Sequence, residues 1–147
     1  MREQHRHRRR GDPFALLMID IDEFGKVNNA YGHLAGNDVL RAVAEVIADV
    51  APTYLIGRWG GDEFAVLLGA GMQTTVEIAE HIRARVQALT VLVEHPAATL
   101  TGTTVSIGGV THVGTGGSLA TLMCMADNAL FDAKGNGRNR VLVRPGQ

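Results

Sequence analysis

With one cysteine in 147 residues, the chain cannot close a disulfide on itself. Cys124 stands in an apolar helical stretch, so a buried thiol is expected, not a nucleophile or metal ligand. Long apolar runs are missing as well. None approaches the ~20 residues that span a bilayer, and the first residues are charged where a secretory signal would be apolar. The expectation is a soluble, cytoplasmic domain with no membrane insertion. Aromatic residues make up only 5% of the chain. No basic patch interleaved with aromatics occurs beyond the N-terminus, which argues against polymeric nucleic acid as a partner. No internal repeat and no second domain is visible. What is present is enough apolar material for one globular core, at 46% hydrophobic and 20% charged residues.

The net charge of -1 conceals an asymmetry. The first ten residues hold five arginines and one glutamate, leaving nine basic and fourteen acidic residues for the remainder. Residues 1–12 read as an N-terminal basic helix end or linker, and His5 and His7 within them carry no metal role. Residues 13–147 read as the domain proper.

The chain is organised around Arg58-Trp59-Gly60-Gly61-Asp62-Glu63-Phe64. Residues 53–59 and 64–68 pattern as two strands joined by a tip of two glycines and two carboxylates. Glycine there would supply positive φ and leave room for a ligand against the backbone. Adjacent carboxylates repel, so a fold that presents them leaves them in water or neutralises them with a cation. A second acidic strand end favours the cation. The run Leu16-Leu17-Met18-Ile19 delivers Asp20 and Asp22, and carboxylates from two strand ends suit Mg²⁺, which takes oxygen ligands.

At Gly60-Gly61-Asp62-Glu63-Phe64 the chain resembles the GGDEF domain, the diguanylate cyclase family. The resemblance is carried further by Asp20-Ile21-Asp22-Glu23-Phe24, Asn28, Gly32-His33, Gly36, Ser106-Ile107-Gly108, Ala126-Asp127-Asn128-Ala129-Leu130-Phe131, Ala133-Lys134 and Gly137-Arg138-Asn139. It runs from about Asp12 to Val143.

Periodicity predicts strands over 14–21 and 99–112 and helices over 23–31 and 33–50. A helix from Thr74, with Glu77 completing a capping box, and another capped by Ser118 follow. An edge strand over 140–144 closes the chain. Gly108-Gly109 reads as a bend or bulge. Helices against a mainly antiparallel sheet make this an α+β domain. The resemblance implies the palm-like fold shared with class III nucleotidyl cyclases.

The resemblance also implies an activity, the condensation of two GTP into cyclic di-GMP with release of pyrophosphate. Two facing domains would be needed, so a homodimer is expected. By resemblance, Asp20, the Ile21 carbonyl and Asp62 hold the metal, Mg²⁺ or Mn²⁺. Two ions would lie about 3.5 to 4 Å apart. Glu63 assists the metal or acts as a base. The backbone of Glu23, Phe24 and Gly25 cradles phosphates, as helix N-termini do. Lys134 and Arg138 reach the same phosphates, Asn28 reads the guanine edge, and Gly60 and Gly61 leave room for base or ribose. Asp22 is weighted towards a structural role, as is His33.

Four departures from the family qualify this. Asn37 stands where the family usually has Asp, exchanging a charge-assisted contact to guanine for a neutral one. Relaxed purine selectivity is therefore an alternative. Gly25 replaces a phosphate-facing lysine, with Lys26 one position late. The inhibitory Arg-x-x-Asp motif would fall on Ala51-Pro52-Thr53-Tyr54 and is absent, so feedback through that site is not expected. The family's preceding Asp-x-Leu-Thr turn and helix are not among these residues, and an N-terminal sensor or dimerising domain outside them is expected. A non-catalytic module that binds GTP or cyclic dinucleotide is the remaining alternative.

Overall fold

The computed structural model describes residues 12–51, 55–58, 60–94, 96–113 and 118–146. The basic N-terminal run lies outside them, as do Pro52 to Tyr54 of the absent inhibitory motif. The elements are β1 (Pro13–Ile21), α1 (Phe24–Tyr31), α2 (His33–Val50), β2 (Leu55–Arg58), β3 (Glu63–Leu68), α3 (Met72–Gln87), β4 (Val91–Glu94), β5 (Ala97–Leu100), β6 (Val105–Val113), α4 (Leu119–Gly135) and β7 (Val141–Pro145). Five strands form one sheet in the order β2-β3-β1-β6-β7, antiparallel except for β6 and β7. The α+β architecture with a mainly antiparallel sheet is therefore present.

β1 is central because it is apolar on both faces. Its alternate residues serve two cores. Ala15, Leu17, Ile19 and Ile21 pack with Val39, Val43 and Ile47 of α2 and Ala79, Ile82 and Val86 of α3. Leu16 and Met18 pack with Val110 and with Leu122, Ala126 and Leu130 of α4 on the opposite face. A strand buried on both sides reads as a continuous apolar run, and its final buried residues before the loop are Asp20 and Ile21.

Several expectations are corrected. Gly108 and Gly109 make no bulge, since β6 pairs with β1 without interruption from Val105 to Val113. Instead, a Cβ on Gly108 would fall 2.5 Å from Leu130 Cα and 2.6 Å from the Ala126 carbonyl oxygen. The glycine lets the backbone of α4 lie directly on the sheet. The strand expected over 99–112 is two strands. β5 pairs with β4 in a separate hairpin, and Thr101 to Thr104 leave it before β6 begins. No Thr74 cap forms, because α3 already starts at Met72 after Gly71, and Thr75 turns into the core. Ser118 does cap α4, accepting from the Thr121 N–H at 3.1 Å. Cys124 is exposed, not buried. It falls on the outer face of α4 while Leu122 and Ala126 take the inner one, and Leu119 is likewise 60% exposed.

Candidate active site

The end of β1 lies between the starts of β3 and β6. Register sets Asp20 opposite Glu63 on one side and opposite Ser106 on the other. The Ile21 N–H donates to the Asp62 carbonyl at 3.1 Å, so Asp20, Ile21 and Asp62 are tied together through backbone. The two strand ends predicted to share a site do meet.

Asp20 is only 6% exposed. Burial pushes its carboxyl up to about 6, Lys134 pulls it back down, and the facing Asp62 carboxylate raises it again. Lys134, from the last turn of α4, forms an ion pair with Asp20 Oδ2. Asp20 Oδ1 is buried and has no donor among the described residues. A buried oxygen with no partner is costly, and a hard cation is the partner its chemistry asks for. Among the described residues no three His, Cys, Asp or Glu side chains converge on one point. The donor set expected from the sequence, two carboxylates and a carbonyl, would suit an ion that also takes water or phosphate oxygens.

Glu63 starts β3, and its carboxylate folds back towards Gly60, where an added Cβ would lie 3.4 Å from Oε2. Gly61 has nothing within 4 Å of its own would-be Cβ. The expectation of positive φ at these two glycines does not hold, because the described glycines in that region are Gly32, Gly102 and Gly137. The turn is held another way. Arg58 donates from Nε to the Gly60 carbonyl at 3.1 Å and from Nη2 to the Gly61 carbonyl at 2.7 Å. Sequence reading gave Arg58 no role; its position two and three residues before those carbonyls was the available signal.

Beyond β1, Glu23 sits at φ 55, left-handed, and opens α1. A non-glycine residue there costs about 1–2 kcal/mol. Lys26 holds its carboxylate at 2.6 Å and lowers its pKa, with Arg138 adding to the effect. Phe24 and Gly25 form the first turn, whose leading N–H groups have no partner inside the helix. Asn28 lies against Gly36 of α2, where any Cβ would run into its Oδ1. Asn37, next to Gly36, is exposed. Arg138 and Asn139 follow α4 at φ 63 and 46, also left-handed.

Asp22 takes a different part. It accepts from Thr104 Oγ1 at 2.7 Å, Ser106 Oγ at 2.6 Å and the Asn139 N–H at 3.0 Å. A cleft of 540 Å³ opens beside it, lined in part by Glu23, Lys26, Tyr31, Thr103 and Arg138.

The model of the family described as diguanylate cyclase, GGDEF domain matches residues 1–140. The chain belongs to the GGDEF, or diguanylate cyclase, family. GGDEF relatives include the probable diguanylate cyclase DgcT of Escherichia coli K12, 37% identical over 135 residues, which are 90% of this chain and 29% of that protein. The response regulator PleD of Caulobacter vibrioides is 37% identical over 134 residues, again 90% of this chain and 29% of the relative. The chain thus spans under a third of the length of these curated relatives. Among solved structures, the GGDEF domain of DgcB from Caulobacter crescentus in complex with c-di-GMP superposes with a TM-score of 0.83. It is 34% identical, and the match covers 89% of this chain and 77% of that one. The five-stranded sheet with its flanking helices is thus the GGDEF fold.

Proposed function

We propose that this domain is the catalytic part of a diguanylate cyclase that joins two GTP molecules into cyclic di-GMP across a face-to-face homodimer. The observation that carries the reading is the buried Asp20, with Oδ1 unpartnered, facing Asp62 at the junction of β1 and the hairpin. In each of two steps a 3′-hydroxyl attacks the α-phosphorus of the facing GTP. The new P–O bond replaces the bond to the β-phosphate, pyrophosphate departs, and the hydroxyl proton is lost.

A divalent ion, Mg²⁺ or Mn²⁺, held by Asp20, the Ile21 carbonyl and Asp62 would supply positive charge to the phosphate oxygens and favour the ionised 3′-hydroxyl. Glu63 is the second acid, assisting either that ion or the departing proton. Catalysis of phosphoryl transfer is mostly positioning and charge stabilisation. The α1 N–H groups at Glu23, Phe24 and Gly25 and the cations of Lys134 and Arg138 meet the β- and γ-phosphates. Asn28, with Asn37 nearby, addresses the guanine edge through amide donors and acceptors. Gly60 and Gly61 have room for side chains in the fold itself, so the demand for glycine comes from substrate passing over the turn. GTP as substrate agrees with a cytoplasmic domain, and among the described residues no helix is long and apolar enough to cross a membrane. An N-terminal sensor or dimerising domain would bring two copies together.

One observation favours a second reading. Lys134 already covers Asp20 Oδ2, and an ammonium there competes with the ion, as in a module that binds nucleotide without turning it over. Asp62→Ala separates the two. With concentrated protein, Mg²⁺ and GTP, pyrophosphate release should fall about a thousandfold while the fold survives. Release near the wild-type rate would contradict the assignment.

A further inference from the structure

The backbone that carries Arg138 is fastened far more firmly than a helix end requires. Gly137, Arg138 and Asn139 have φ of 124, 63 and 46, three consecutive residues in the left-handed region where one suffices to end a helix. Such conformations persist only where the surroundings over-determine them. Here the surroundings come from four parts of the chain. The Arg138 N–H reaches the Ala133 carbonyl at 3.1 Å. The Asn139 N–H reaches Asp22 Oδ2, and that carboxylate is itself fixed by Thr104 and Ser106. Asn139 Oδ1 accepts from Arg83 Nη1 at 3.0 Å, fifty-six residues away on α3. Arg83 is in turn aligned by Glu80 at 3.1 Å and Gln87 at 2.9 Å on its own helix. By contrast, the Arg138 guanidinium makes no hydrogen bond or ion pair with the described residues and faces the cleft beside Glu23 and Lys26. A locked backbone under an uncommitted cation is the arrangement a ligand contact requires.

We propose that Asp22 and Arg83, acting through Asn139, are positioning residues for Arg138. They hold its left-handed turn so that the guanidinium addresses the terminal phosphates of the bound nucleoside triphosphate. The inference rests on the reading of Arg138 as a phosphate contact. Asp22 grips the turn through its main chain and Arg83 grips it through the Asn139 side chain, so each is separately testable.

The test measures dissociation constants for guanosine 5′-monophosphate and for a GTP analogue resistant to cleavage between the α- and β-phosphates. The variants are Arg138→Ala, Asp22→Asn, Arg83→Gln and each of the last two combined with Arg138→Ala. Arg138→Ala should weaken the triphosphate on the order of ten-fold and leave the monophosphate within about twofold. Asp22→Asn and Arg83→Gln should reproduce that selective loss, and the double variants should be no weaker than Arg138→Ala alone. Thermal melts report the fold, and Arg83→Gln, which keeps a hydrogen-bonding amide at a half-buried position on α3, keeps the test decisive should Asp22→Asn unfold. Additive losses, equal losses for both nucleotides, or wild-type affinity in both single variants would overturn the positioning role. Unchanged triphosphate affinity in Arg138→Ala would instead overturn the phosphate reading, and the inference with it.

Discussion

Lys134, from the end of α4, and Asp20, from the end of β1, form an ion pair at the point where the acidic strand ends converge. The pairing follows from Gly108, which lets α4 lie close enough to the sheet for its last turn to reach β1. A cation thus already sits at the acidic centre, where it would compete with the proposed metal ion. Replacing Lys134 with Met should remove that competitor. Mn²⁺ binding without nucleotide, followed by electron paramagnetic resonance, should tighten several-fold, while triphosphate binding weakens about ten-fold through the lost phosphate contact. Unchanged binding of both would mean that Lys134 serves neither role.

The raised pKa of Asp20 should make stability, and the proposed metal binding, depend on pH. Its folded value of about 6 lies above the ordinary 3.8. The folded state therefore takes up this proton more readily than the unfolded chain. The stability from this group is full below pH 3.8 and is lost as pH rises through 6. In metal-free protein the melting temperature should have a declining component between pH 4 and 7, and Asp20→Asn should remove it. Glu23, lowered by Lys26, has the opposite sign, but it is exposed and about 0.5 M salt screens it. Mg²⁺ should raise the melting temperature at pH 7.5 and lose that effect below pH 6, because ion and proton compete for one carboxylate. A Mg²⁺ effect independent of pH would contradict this.

Arg58 should matter more to rate than to stability. Its two hydrogen bonds to the turn carbonyls are exposed, and such bonds contribute about 0.5–1.5 kcal/mol net. They also aim the turn that carries Asp62, and small misplacements at a reacting centre cost up to about a hundredfold. Arg58→Ala should lower kcat at least ten-fold with a loss of about 1 kcal/mol or less in denaturant titration. An equal fall in both would assign Arg58 to stability alone.

Base selectivity tests the site between α1 and α2. Asn37→Asp introduces a charged acceptor next to Gly36, against which Asn28 lies, and the preference for GTP over ATP should rise about ten-fold. No change would remove residue 37 from base recognition.

The sheet and long helices were legible because burial imposes period. The two-sided apolar run of β1 and the stripe of α2 over His33–Val50 could be read directly. The hairpin signature was legible through its resemblance to the GGDEF family, supported by the second acidic strand end at Asp20 and Asp22. What escaped were features set by distant neighbours. Nothing local distinguishes Gly108 as a packing glycine from a bulge, since the colliding atoms belong to α4. Asp22 reads as structural, but its partners could not be named from the sequence. β1 ends at Ile21, and Asp22 turns to Thr104, Ser106 and Asn139. The role of Arg83 depends on a residue fifty-six positions away and has no local trace. Cys124 was misjudged because composition was weighed ahead of helical phase.

Turnover of GTP at the acidic junction is read most simply from the products. Concentrated protein, and a fusion that enforces dimers, would be incubated with Mg²⁺ and GTP, ATP or both, and the products analysed by mass spectrometry. Cyclic di-GMP should form from GTP, with a mixed cyclic dinucleotide appearing when ATP is added if Asn37 relaxes base choice. Absence of any cyclic dinucleotide in the enforced dimer, with nucleotide still bound, would contradict turnover at that junction.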